Sequence, residues 1–264
     1  YESTTRLVGA EMCIRDRIPM FGLYGACSTS GEALALASMS AAAGYGGTMI
    51  AVTSSHFGSA EKEFRFPLGY ANQRPLSSHW TVTGSGAFLV QSAEEYRKQN
   101  TKSYFSNIRI TGVTVGKIVD YGLKDSQNMG ACMAPAAMDT IVQNFQDMER
   151  KEKDYDRIIT GDLGSIGRTI LFDLIREKGY DICEKHMDCG MTIFDKERQD
   201  THAGGSGCGC AAVTLASYVL PKLEKGEWKR VLFVPTGALM STVSFNEGAS
   251  VPGIAHGIVL ESDA

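Results

Sequence analysis

One cysteine has the surroundings of a reactive thiol. Cys27 follows the short apolar run Ile18-Pro19-Met20-Phe21 and the turn Leu23-Tyr24-Gly25-Ala26. The stretch after it, Gly31-Glu32-Ala33-Leu34-Ala35-Leu36-Ala37-Ser38-Met39, reads as a helix. Gly25 permits the tight turn, and Ser28, Thr29 and Ser30 are helix-capping types. Cys27 is therefore expected at a helix start. Free backbone N–H groups and the helix dipole favour a thiolate there, which is the recipe for a cysteine nucleophile. A small buried cysteine packed under a turn has the same local sequence.

Other clusters offer less. Cys183-x-x-His186-x-x-Cys189 has metal-like spacing but lacks the fourth ligand of a structural zinc. Cys208-Gly209-Cys210 is too tight for two ligands of one tetrahedral ion, so helix packing is the better reading, and no metal or cofactor is expected. Gly161-Asp162-Leu163-Gly164-Ser165-Ile166-Gly167 lies between strand and helix patterns, where phosphate can bind. It is not G-x-G-x-x-G, it lacks the Walker lysine, and Asp162 would repel an anion.

Composition bounds the rest. The 264 residues are 43% hydrophobic and 21% charged, enough for a real core. A net charge of −4 gives no reason to expect nucleic acid as a partner. No apolar run reaches the length of a membrane span. Seven scattered cysteines, an odd number, read as reduced thiols. Residues 1–17 read as a non-native leader, since Met12-Cys13-Ile14-Arg15-Asp16-Arg17 resembles a translated sequencing-adapter scar. The native chain is expected to extend further upstream.

The elements that would position Cys27 alternate between strand and helix. The helix after it is expected to reach about Ala43 and to end at Gly44-Tyr45-Gly46-Gly47. Thr48–Ser55 reads as a buried central strand. A long loop from Ser55 to Pro75 carries Phe57, Phe64, Phe66 and Tyr70 among charges, and a Gly-broken strand, Trp80–Val90, follows. Further on, strand patterns cover Ile108–Val119, Arg157–Asp162, Arg230–Pro235 and Gly253–Glu261. Helix patterns cover Met133–Met148, with Pro135 in the first turn, then Arg168–Lys178 and Ala211–Leu223. This alternation predicts a layered α/β fold. The order of small-residue turn, helix, strand, loop and Gly-broken strand occurs twice, starting at Cys27 and at Ser206–Cys210. The chain is thus divided into 18–100, an N-terminal half in part, and 101–264, a C-terminal half. Two pseudo-symmetric halves would bring Cys27 and Ser206 to one cleft.

A reactive-type cysteine at a helix start in duplicated α/β halves resembles the thiolase fold. Gly84-Ser85-Gly86-Ala87 looks like the glycine-rich strand of type III ketoacyl synthases. Several stretches in order are similar to the stage V sporulation protein AD family of that superfamily. They are Phe21–Thr29, Thr53-Ser54-Ser55-His56-Phe57, Phe64-Arg65-Phe66-Pro67-Leu68, Asn72-Gln73-Arg74-Pro75, Asn128-Met129-Gly130-Ala131, Met133–Ala137 and Gly204–Cys210. The resemblance runs from about Ile18 to the C-terminus.

The resemblance implies a thiolase-like α/β/α/β/α fold whose first half is incomplete at its N-terminus. It implies a role in endospore formation: binding dipicolinic acid, free or as its calcium chelate, and helping a membrane channel complex load it into the spore. A peripheral position at the forespore or spore inner membrane, contact with the channel's other subunits, and a homodimer are implied likewise. The alternative is an acyltransferase using Cys27. Condensing enzymes add a His with an Asn or a second His for proton and oxyanion handling. By pattern these positions fall at Gly161-Asp162 and Gly205-Ser206, which hold neither, so condensation is not expected. For a flat dianion the expected contacts are Cys27, Ser28, His56, Arg65, Arg74, Ser206 and His256. One arginine would grip a carboxylate, and backbone N–H groups at the two helix starts would hold the others. Against this, Arg65 and Arg74 have Glu61 and Glu63 nearby as ion-pair partners, and His256 lies on an apolar strand that suits a core histidine.

Overall fold

The computed structural model describes residues 18–58, 74–98 and 107–263. Its elements begin with helix α1, Thr29–Ala42, and strand β1, Thr48–Ser55. Then come β2, His79–Thr81, β3, Gly84–Gln91, and α2, Ala93–Lys98. Strand β4, Ile108–Thr114, leads to α3, Met129–Asp147. Next are β5, Arg157–Thr160, α4, Gly164–Glu177, β6, His186–Asp188, and the short α5, Cys189–Thr192. Strand β7, Gly204–Ser206, precedes α6, Cys208–Thr214, a π-helical turn, Leu215–Val219, and α7, Leu220–Glu224. The remainder is β8, Arg230–Val234, β9, Thr236–Ala238, α8, Thr242–Asn246, β10, Gly253–Ala255, and β11, Gly257–Ser262.

Five strands form the main sheet in the order β4-β11-β8-β5-β6. Strand β11 is antiparallel to both neighbours, whereas β8, β5 and β6 run parallel. Strands buried on both faces alternate their side chains between two cores. Ile158, Leu232, Val234 and Val259 join the cluster built on α3 and α4. Ile159, Val231, Phe233, Ile258 and Leu260 join the cluster containing Ala33, Leu34, Cys210 and Leu215. Helices α1 and α6 also pack against β1 and β3. Helix, sheet, helix and sheet therefore stack as four layers among the described residues. A separate pairing crosses the chain: β2 lies parallel to β7, with Thr81 opposite Ser206.

Several elements differ from the sequence expectations. Helix α3 begins at Met129 because Asn128 caps it, its side chain accepting from Ala131 N. Pro135 therefore sits inside the helix, not in its first turn. Strand β1 is not buried on both sides. Its residues alternate, paired with β3, and Ile50 and Val52 are exposed on the outer face together with Leu89. The strand expected over Ile108–Val119 ends at Thr114. The last apolar run breaks at His256 into β10 and β11. Helix α4 starts at Gly164, four residues before the expected Arg168, because Gly130 and Gly167 let α3 and α4 cross closely. A Cβ on Gly167 would lie 2.7 Å from Gly130 Cα.

Candidate functional site

The site is built on a strained turn. Ala26 has φ 49°, a left-handed conformation uncommon for a residue with a Cβ. Strand β9 presses against it: a Cβ on Gly237 would lie 2.3 Å from the Gly25 carbonyl oxygen. Ser28 is fully buried, and its Oγ donates to the Gly25 carbonyl at 2.6 Å. Thr29 Oγ1 donates to the Ala26 carbonyl at 2.6 Å. Neither hydroxyl caps α1 in the expected way; both lock the turn that presents Cys27.

Cys27 is half-buried, and its Sγ lies 3.7 Å from Ser206 Oγ. The two small-residue turns thus meet, as their repetition predicts. Between them lies Asp162, at the end of β5 and 1% exposed. Its carboxylate accepts hydrogen bonds from Cys27 and Ser206, from Gly207 N at 3.2 Å and from Thr236 Oγ1 at 2.9 Å. Burial outweighs these donors and pushes the carboxyl up to about 6. Asp188, also buried, adds repulsion. It accepts from Thr160 Oγ1 and from the backbone N–H groups of Leu163, Gly164 and Met191, which fixes the loop carrying Asp162. The sequence marked Asp162 only as a place where a histidine is missing; its donors come from three separate segments.

Several of the helix-start amides are engaged internally. Ser28 N and Thr29 N bond the Gly25 and Ala26 carbonyls, and Gly31 N bonds Ser28 O. At the other helix, Gly207 N goes to Asp162 and Gly209 N to Ser55 Oγ at 2.8 Å. Arg74 is engaged through one nitrogen, while its Nη1 is buried without a hydrogen-bond partner. Its Nη2 pairs with Asp200 Oδ2 at 2.8 Å, and its guanidinium lies 4.8 Å from the centre of the Trp80 ring. Arg74 thus has an ion-pair partner, Asp200, that the sequence reading did not name. Arg65, Glu61 and Glu63 lie outside the described residues. His56 is exposed and accepts from Gly58 N at 3.0 Å. His256 is buried, accepts from Gly116 N at 3.2 Å, and burial lowers its pKa. Its backbone oxygen abuts Gly31, so it packs against the first turn of α1. Cys183, His186 and Cys189 do not gather round one point. Arg176 Nη2 donates to Cys183 Sγ, His186 bonds Thr160, and Cys189 is buried. Among the described residues no group of three or more His, Cys, Asp or Glu is placed to hold a metal.

A family model described as stage V sporulation protein AD matches residues 5–261. The chain belongs to the stage V sporulation protein AD family. It is 43% identical over 245 residues to the stage V sporulation protein AD of Bacillus subtilis, covering 93% of this chain and 69% of that protein. Membership gives it a role in sporulation. Solved condensing enzymes share the fold at low identity. A tetronic acid condensing enzyme matches with a TM-score of 0.57 at 14% identity, over 95% of this chain and 73% of that one. A 3-oxoacyl-(acyl carrier protein) synthase III from Pseudomonas aeruginosa matches with a TM-score of 0.55 at 10% identity, over 92% and 67%. The fold is therefore the thiolase-like α/β fold. Among the described residues no helix of this family member is long and apolar enough to cross a membrane.

Proposed function

We propose that the chain binds dipicolinate at the Cys27 cleft and hands it, with calcium, to a spore membrane channel complex. In this reading it sits peripherally on the forespore or spore inner membrane, against the channel's other subunits, as a homodimer. The observation that carries the reading is the Cys27–Ser206–Asp162 cluster. In it the thiol faces a carboxylate instead of a basic imidazole that could take its proton, which supports binding over acyl transfer. Three side chains meet at one point, and each offers a proton when Asp162 is neutral. A dicarboxylate needs such donors.

The test is calorimetric titration with dipicolinate, with and without calcium, between pH 5.5 and 8. A dianion favours protonated Asp162, so affinity for free dipicolinate falls as pH rises through about 6. Asp162→Asn, a permanent donor, flattens that slope, and Asp162→Ala weakens binding about tenfold or more. Cys27→Ser has only a mild effect. If the folded chain binds no dipicolinate under either condition, the reading fails. Acyl-CoA turnover that Cys27→Ala abolishes would replace it with an acyltransferase.

A further inference from the structure

A second cleft opens at the β6 edge of the main sheet. It holds about 350 Å³, within the range of roughly 300–1,000 Å³ usual for small-molecule sites. Two arginines from different elements line it, Arg157 at the start of β5 and Arg168 on α4. Neither forms an ion pair with a carboxylate among the described residues. Arg157 Nη1 donates only to its neighbour's carbonyl, Asp156 O, at 2.8 Å, and its guanidinium lies 5.5 Å from the centre of the Trp228 ring. Arg168 Nε is buried with no hydrogen-bond partner, and its guanidinium lies 5.8 Å from the centre of the Phe172 ring. The cleft therefore carries two guanidinium groups with no carboxylate partner among the described residues.

Aromatic side chains line the cleft beside Arg157. Trp228 and Tyr218 meet edge to face with ring centres 5.9 Å apart. Tyr218 reaches the surface from the π-helical turn Leu215–Val219, whose end residues stay in the core. Such turns are rare and concentrate at functional positions. Met187 and Met191 add soft apolar surface. The acidic group here, Asp188, has its carboxylate engaged by four internal donors. His186 is neutral, since burial and Arg168 push its pKa down to about 3.

We propose that this cleft binds an aromatic carboxylate, with Arg157 and Arg168 on the carboxylate and Trp228 and Tyr218 on the ring. The proposal is independent of what binds at Cys27. Guanidinium forks suit a carboxylate, and aromatic side chains suit a flat ring better than a bare anion. The test is calorimetry of the full chain with benzoate, cyclohexanecarboxylate and inorganic phosphate. Benzoate binds, cyclohexanecarboxylate binds more weakly, and phosphate more weakly still. Arg168→Gln and Arg157→Gln each weaken benzoate at least about tenfold. Arg168→Lys, which keeps the charge without the planar fork, falls between wild type and Arg168→Gln. Phosphate binding as tight as benzoate overturns the proposal. So does benzoate binding that Ser206→Ala removes and Arg168→Gln leaves unchanged, because benzoate then occupies the Cys27 cleft.

Discussion

At Cys27 the chemistry turns on what receives the thiol's hydrogen bond. Asp162 receives it, and above pH 6 that carboxyl is ionised. A thiolate formed beside it would meet a second negative charge in a buried setting, where repulsion is strong. Alkylation by iodoacetamide at pH 8, followed by mass spectrometry of the Cys27 peptide, should therefore be slow, and Asp162→Asn should speed it severalfold. An unchanged rate in that variant would mean that Asp162 does not govern the thiol. The position of Cys27 opposite Ser206 was legible in the sequence because both lie in small-residue turns at the start of helices. The part played by Asp162 was not. A carboxylate acquires that character only when Thr236, Gly207 and Cys27 converge on it from distant segments. The partner of Arg74 was hidden for a related reason: Asp200, which takes its Nη2, lies 126 residues away.

At the scale of elements, the turn bearing Cys27 depends on β9. Gly237→Ala would drive a methyl group into the Gly25 carbonyl. We expect a loss of roughly 1–3 kcal/mol in urea unfolding, the usual cost of overpacking, together with altered reactivity at Cys27. Wild-type stability in this variant would show that the turn relaxes freely. Helix and strand types followed from periodicity, but their limits did not. The start of α3 depends on the Asn128 cap, and the early start of α4 on its crossing with α3 at Gly130 and Gly167. The π-helical turn leaves no local mark in the run Ala211–Leu223, because it adjusts the fit of one helix between two surfaces.

For the whole molecule, the layered α/β architecture was legible from alternating patterns, and the exposed outer face of β1 was not, because a continuous apolar run suggests burial on both sides. Stability carries a pH signature. His186 has a folded pKa of about 3, far below its ordinary value of 6.5, chiefly through burial and secondly through Arg168. The unfolded chain takes up that proton first, so this contribution is present above about pH 6.5 and is lost as pH falls toward 3. Asp162 acts in the opposite sense: its raised pKa adds stability at low pH that is lost as pH rises through about 6. His186→Gln should make urea stability flatter than wild type between pH 6.5 and 4. Parallel curves for the two proteins would contradict the buried neutral imidazole.

Strand β11 occupies an inner position of the main sheet, between β4 and β8, yet it follows all of its sheet partners in the chain. This sets a timetable for synthesis. While the ribosome is still making residues before Gly257, β4 has no neighbour within the sheet and β8 has a vacant edge. The apolar faces prepared by α1, α3 and α6 wait for Ile258, Val259 and Leu260. A released chain truncated before Gly257 should be cut readily by protease throughout β4 and β8, and one that includes Ser262 should be protected in both. Asp162, at the end of β5, would rest on an unfinished sheet until β11 is in place, so a sporulating cell could not rely on a partly made copy.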